Sequence, residues 1–101
     1  MDISEDEILE KLRDIEDPEL HVNIVDLGLI YDVDITDEDV INVEMTFTTP
    51  FCPFGASLEQ SVRDLLEETE DVKEVNVKVV FDPPWGTHLM SEEAKLELGI
   101  I

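Results

Sequence analysis

Near the N-terminus the apolar residues Ile8, Leu9, Leu12 and Ile15 recur at helical spacing, behind Ser4 and Glu7, whose three-residue offset reads as a capping box. The pattern predicts a first helix from about Ser4 to Asp14. It must stop at Asp17-Pro18, because a proline ring drives the preceding residue away from helical angles. A loop from Asp17 to Asp26 follows. From Leu29 the period drops to two: Tyr31, Val33 and Ile35 alternate with Asp32 and Asp34, and beyond the turn Thr36-Asp37-Glu38-Asp39 the alternation resumes. Ile41, Val43, Met45 and Phe47 then share one face, while Asn42, Glu44 and Thr46 share the other. Two strands joined by a short turn make a hairpin, and its polar face, Thr46 included, is expected to meet water.

After the loop Thr48-Thr49-Pro50-Phe51-Cys52-Pro53-Phe54-Gly55, the spacing of Leu58, Val62, Leu65 and Leu66 is again helical. Two starts fit this second helix. Pro53 suits a first helical position and would make Cys52 the cap, whereas Ser57 with Gln60 offers a later capping box. Val75, Val77, Val79 and Phe81 form a third strand, and a strand-helix-strand unit of this length crosses over right-handed and pairs in parallel. Asp82-Pro83-Pro84-Trp85-Gly86 ends it. Ser91, with Glu92 and Glu93 behind it, caps a short last helix that Gly99 is placed to close. The fold class expected is α/β in the α+β two-layer sense: a small mixed three-stranded sheet with helices packed on one face, in the order α-β-β-α-β-α.

A chain of 101 residues has room for one core, so residues 1–101 are read as a single domain. Hydrophobic residues make up 43% and aromatics 6%, which makes that core aliphatic. Charge changes the picture more. Twenty-seven acidic residues against six basic ones leave a net charge of -21, a field that repels phosphate backbones and anionic lipids. Nucleic acid and membrane surfaces are therefore not expected partners, and proteins or metals are. Self-repulsion on this scale also suggests a salt-loving source. The first residues have neither a basic start nor an apolar run, and no stretch nears the roughly 18 apolar residues of a membrane span, so the expected location is the cytoplasm.

The single cysteine, Cys52, excludes an internal disulfide and any four-cysteine metal site within one subunit. Either reading of the second helix sets it near a helix N-terminus, where unpaired N–H groups favour the thiolate that binds metal or attacks. The plainer alternative is a small buried hydrophobe. His21 and His88, the two histidines, fall in predicted loops where an imidazole could complete a Cys/His metal site, but their spacing to Cys52 matches no metal signature and they read as solvent-facing or hydrogen-bonded. Thr48 and Thr49 are candidates to donate hydrogen bonds to a thiolate or a cluster sulfide, although hydroxyls at strand ends commonly satisfy turn backbone. Asp17, Glu19 and Asp26 are spaced for acid-base pairing, but among 27 carboxylates proximity arises by chance. Asp17 is expected to cap its turn and Asp26 to hold its own loop. Trp85 reads as a lid on the core in preference to an exposed contact.

Asp17-Pro18-Glu19, then Asn23-Ile24-Val25-Asp26-Leu27-Gly28-Leu29-Ile30, Thr49-Pro50-Phe51-Cys52-Pro53, Pro83-Pro84-Trp85 and Met90-Ser91-Glu92-Glu93-Ala94 follow one another in an order that resembles the metal-sulfur cluster biosynthetic proteins. This is the SufT-like and PaaD-like family, formerly called a domain of unknown function. The resemblance runs through nearly the whole chain. It implies a non-enzymatic iron-sulfur cluster assembly factor, one that passes a cluster or bridges a scaffold or carrier protein to client apoproteins, and it implies homodimers. The cysteine of the Thr-Pro-x-Cys-Pro loop is the implied cluster or metal contact, which carries over to Cys52. The Asp-Pro-Glu turn and the loop threonines line the same implied site, which carries over to Asp17, Glu19, Thr48 and Thr49. Gly86-Thr87-His88-Leu89 departs from the family's usual linker, so the resemblance gives His88 no role.

One thiolate per subunit cannot hold an iron-sulfur cluster, which takes about four protein ligands, so any cluster must be transient and shared between subunits or with a partner. Three other readings compete. One is a cluster-free adaptor linking a scaffold ATPase to a client through Trp85 and the acidic surface, and another is a PaaD-like maturation factor serving a ring-oxygenating enzyme. The third is a thiol enzyme with Cys52 as nucleophile or redox centre, for which no base or resolving cysteine is evident.

Overall fold

The computed structural model describes residues 2–49 and 53–100. Its elements run α1 (Glu5–Leu12), β1 (Ile30–Ile35), β2 (Val40–Met45), α2 (Gly55–Glu67), β3 (Glu74–Val79), a 3-10 turn (Thr87–Leu89) and α3 (Glu92–Leu98), the expected order. Ser4 caps α1 as the sequence suggests, its Oγ accepting from the Glu7 N–H at 3.2 Å. The helix ends two residues short of the expected Asp14. From there Asp14 and Ile15 make i→i+3 bonds to Lys11 and Leu12, which tighten the last turn ahead of Asp17-Pro18.

The sheet is mixed and ordered β1-β2-β3. β2 pairs antiparallel with β1 and parallel with β3, as a hairpin followed by a crossover helix requires. Val33, Val43 and Val77 share one row and Ile35, Ile41 and Val75 another on the core face. Asp32, Glu44 and Lys78 form a row of exposed side chains on the other face. α1 packs on β1 and α2, and α2 on β3, so Ile8, Leu12, Leu58, Val62 and Leu66 close over the sheet. Burying such a side chain is worth about 1.5–3 kcal/mol.

Two expectations need correction. Thr46 does not meet water: it is fully buried, because the strand ends at Met45 and the Thr46 N–H turns inward to the Leu29 carbonyl at 2.8 Å. α2 begins at Gly55 with Phe54 as its N-cap and no side-chain cap bond, so the helix uses neither of the two starts read from the sequence; Ser57 lies inside it.

The connection between α1 and β1 is itself part of the core. Val22, Ile24, Leu27 and Leu29 are buried, and its backbone is satisfied locally, with Ile24 bonding back to Ile15 and Leu29 to Ile24. Gly28 closes the segment in the left-handed region (φ 81°). α3 docks on this segment: the Ser91 N–H donates to the Asp26 carbonyl at 2.8 Å, Ser91 Oγ caps the helix through the Ala94 N–H, and Gly99 ends it at φ 74°.

Candidate functional site

The Cys52 assignment, and its alternative as a small buried hydrophobe, concern a residue outside those described. What is described is how the chain is held on either side of it. Before it, Thr46 is locked to Leu29 and the Phe47 ring turns toward α2. After it, Gly55 is buried beneath that ring, so closely that a Cβ on Gly55 would lie 2.6 Å from Phe47 Cε2. Phe47 is braced in turn by Phe81, edge-on at a centroid separation of 6.1 Å. The connection 48–54 is thus pinned at both ends by one aromatic contact. Beyond it, Leu58 N–H bonds to the Phe54 carbonyl at 2.9 Å, while the N-cap residue Phe54 makes no side-chain cap bond. A helix start directs its positive dipole end toward the segment before it.

Thr48 and Thr49 follow Phe47 and are half-buried. Asp17 and Glu19 lie on a different segment. Asp17 is buried, and its Oδ1 accepts from the Glu19 and Leu20 N–H groups at 2.8 and 3.0 Å, while its carbonyl accepts from His21 N–H. Its carboxylate is occupied in holding the turn, as the capping reading expects, and that turn presents Glu19 to solvent. The structure therefore groups Asp17 with Glu19 and Thr48 with Thr49, each pair on its own segment.

Asp26 holds its loop as expected, but with a partner that spacing did not reveal. Arg13 Nη1 donates to Asp26 Oδ1 at 2.6 Å, Asn23 Nδ2 donates to Oδ2 at 2.8 Å, and the Asp26 N–H returns to Asn23 Oδ1. Burial pushes the Asp26 carboxyl up, yet the bonds from Asn23 and Arg13 and the guanidinium charge outweigh it and hold the group below its ordinary range. The hydrogen bond that Arg13 donates to Asp26, with the carboxylate's charge, raises Arg13 in return. This is a structural clamp between the end of α1 and the α3 docking segment.

Trp85 is the lid that the sequence favours. Half-buried against the core, it donates from Nε1 to the Leu27 carbonyl at 2.7 Å. His21 and His88 are exposed. His21 borders an acidic cleft of about 280 Å³ with Glu16, Asp26, Glu93 and Glu97, but among the described residues no group of three or more His, Asp or Glu side chains is arranged to hold a metal ion. Nor is any described helix long and apolar enough to cross a membrane.

Comparison with known proteins agrees with this geometry. A protein of Porphyromonas gingivalis named Fe-S protein maturation auxiliary factor is 43% identical over 97% of this chain and 93% of its own length. The auxiliary factor SufT of Staphylococcus aureus is 42% identical over 83% of this chain and 96% of its own. A crystal structure of a domain of unknown function from Bacillus anthracis superposes with a TM-score of 0.90 at 38% identity, covering 96% of this chain and 92% of that one. The family model described as iron-sulfur cluster assembly protein matches residues 5–79, and the chain, with its sheet, two packed helices and the pinned connection between them, belongs to that family.

Proposed function

We propose that this chain helps to mature iron-sulfur proteins by taking up or presenting a cluster as cargo, with Cys52 as its own ligand to that cargo. The observation that carries the reading is the pinned connection. The only thiol in the chain lies in sequence between Phe47 and Gly55, two residues in contact, and just ahead of a helix start without a side-chain cap. A thiol placed in sequence just ahead of a helix start is of the kind that favours the thiolate. Thr48 and Thr49 are assigned to donate hydrogen bonds to the thiolate or to a sulfide. Asp17 is assigned to hold its turn, and Glu19 to present a carboxylate from it.

Because such clusters take about four protein ligands, one chain supplies too few. The remaining ligands come from a second copy or from the donor and recipient proteins, and a cluster held in this way stays labile, as transfer requires. No step of this role makes or breaks a bond in an organic substrate, so the chain acts as an assembly factor and not as an enzyme.

Anaerobic reconstitution with ferrous iron and sulfide, followed by visible absorption, tests the proposal. Wild-type protein is expected to develop cluster bands and Cys52→Ser to lack them, with unchanged thermal unfolding. Equal bands in the two would overturn the assignment of Cys52. A cluster-free adaptor using Trp85 for recognition is disfavoured, since that ring is tied into the core.

A further inference from the structure

The chain has four phenylalanines, three of them close together in sequence. Phe47, Phe51 and Phe54 fall within residues 47–54, and Phe81 packs against the Phe47 ring. That ring lies against Gly55, the chain neighbour of Phe54, so Phe54 and Phe81 both adjoin the same Phe47–Gly55 contact. Both are partly open to solvent: Phe54 is 39% exposed and Phe81 43%. In a chain of net charge -21, two partly exposed phenylalanines flanking the Phe47–Gly55 contact are apolar points that a partner can cover.

The size and charge of this patch say which occupant. An aromatic side chain offers about 150–250 Å² to bury, so the exposed parts of these two contribute roughly 150 Å². A stable interface takes about 800 Å² from each partner. The patch alone supports a short-lived encounter. A second copy of this chain would bring another -21 to the contact, whereas a cationic partner gains attraction and a faster approach.

We propose that Phe54 and Phe81 form the docking surface for a protein that presents an apolar patch ringed by lysine and arginine, and that this protein is the donor or recipient of the cluster. The inference rests on the role proposed above for the connection 48–54. Docking there sets the partner beside the ends of the connection 48–54, and the small apolar area lets it leave after transfer.

The test is a titration of the isotopically labelled, cluster-free full chain, followed by amide NMR in about 0.1 M KCl, where the Debye length is about 10 Å. The probes are a synthetic leucine-lysine peptide and a serine-lysine peptide of equal charge. The leucine-lysine peptide is expected to shift the amides of Phe47, Phe54, Gly55, Phe81 and Asp82, and to bind Phe54→Ser/Phe81→Ser at least tenfold more weakly. The serine-lysine peptide should bind weakly to both. Phe54→Ser alone should weaken binding partway while keeping the fold, since serine is a favoured N-cap residue and the Phe54 side chain makes no cap bond. Leu96→Ser, at the other large exposed apolar position within a helix, should bind as wild type.

Equal affinity of wild type and double variant, or shifts centred on α3, would overturn the proposal. So would a dimer in sedimentation that Phe54→Ser/Phe81→Ser abolishes, because the occupant would then be a second copy. The titration needs no thiol, so Cys52→Ser should dock normally. Docking that persists while reconstitution fails would count against the cluster role and not against this surface.

Discussion

The ring of Phe47 fills the space beside Gly55: a Cβ built on that glycine would stand 2.6 Å from Cε2 and 3.0 Å from Cδ2 and Cζ. Phe81 braces the same ring from its edge, so the ring cannot simply swing aside. Gly55→Ala would gain up to about 1 kcal/mol of helix propensity. Overpacking costs about 1–3 kcal/mol against it. We expect a net loss of up to about 2 kcal/mol in urea unfolding, recovered in part by Phe47→Leu in the same chain. If Gly55→Ala stabilises and Phe47→Leu adds nothing to it, the contact does not pin the connection.

Gly28 is the second position where only glycine fits. Its φ of 81° costs a side chain about 1–2 kcal/mol, and a Cβ would collide with the Leu89 carbonyl oxygen. The obstacle is backbone and cannot rotate away. Gly28→Ala should therefore lose about 3 kcal/mol or more and loosen the segment on which α3 docks. Amide exchange in α3 would rise with it, and a variant of wild-type stability would contradict the packing described here.

How much of this was legible can be traced residue by residue. The period-two runs and the caps at Ser4, Ser91 and Gly99 are local signals, and the elements they predict are present. Thr46 was misread because alternation continues on paper through Phe47, while in space the chain turns at Met45 to reach Leu29. The Arg13–Asp26 pair and the Phe47–Gly55 contact join residues from separate segments, and no spacing rule reports them. The core role of residues 22–29 was hidden for the same reason: an irregular segment carries no period, although Val22, Ile24, Leu27 and Leu29 are more buried than the strand residues Val33 and Val75. For the site, the turn role of Asp17 was readable from its place before a proline, whereas the aromatic clasp on the connection was not.

The Asp26 clamp has a pH signature. Burial raises its carboxyl, but Asn23 and Arg13 more than offset this, so the folded group titrates below its ordinary value of 3.8. A depressed carboxyl stabilises the fold fully above the unfolded value and loses that contribution as pH falls through the folded one. Charge-assisted bonds are worth about 1.5–3 kcal/mol, and the partial exposure of Arg13 lowers this to about 1–2 kcal/mol for Asp26→Asn at pH 7. The gap between wild type and Asp26→Asn in urea unfolding should shrink below about pH 4. A gap that stays constant to pH 2.5 would mean that the Asp26 charge contributes nothing.

Salt should stabilise this protein, and one row of the sheet shows where. Asp32 sits directly opposite Glu44 on the open face, two like charges in a chain that already carries -21. Like charges across a strand pair cost on the order of 0.2–1 kcal/mol, and Lys78, across β2 from Asp32, is paired with Glu44 in register and not with Asp32. Raising KCl from 0.1 to 1 M shortens the Debye length from about 10 to about 3 Å, which screens both this pair and the wider repulsion. The melting temperature of wild type should climb across that range. Asp32→Lys, which turns repulsion into attraction and lowers the net charge, should melt higher than wild type at 0.1 M and converge on it at 1 M. Parallel salt curves for the two proteins would place the salt effect elsewhere than in surface charge, and a flat wild-type curve would remove self-repulsion as a determinant of its stability.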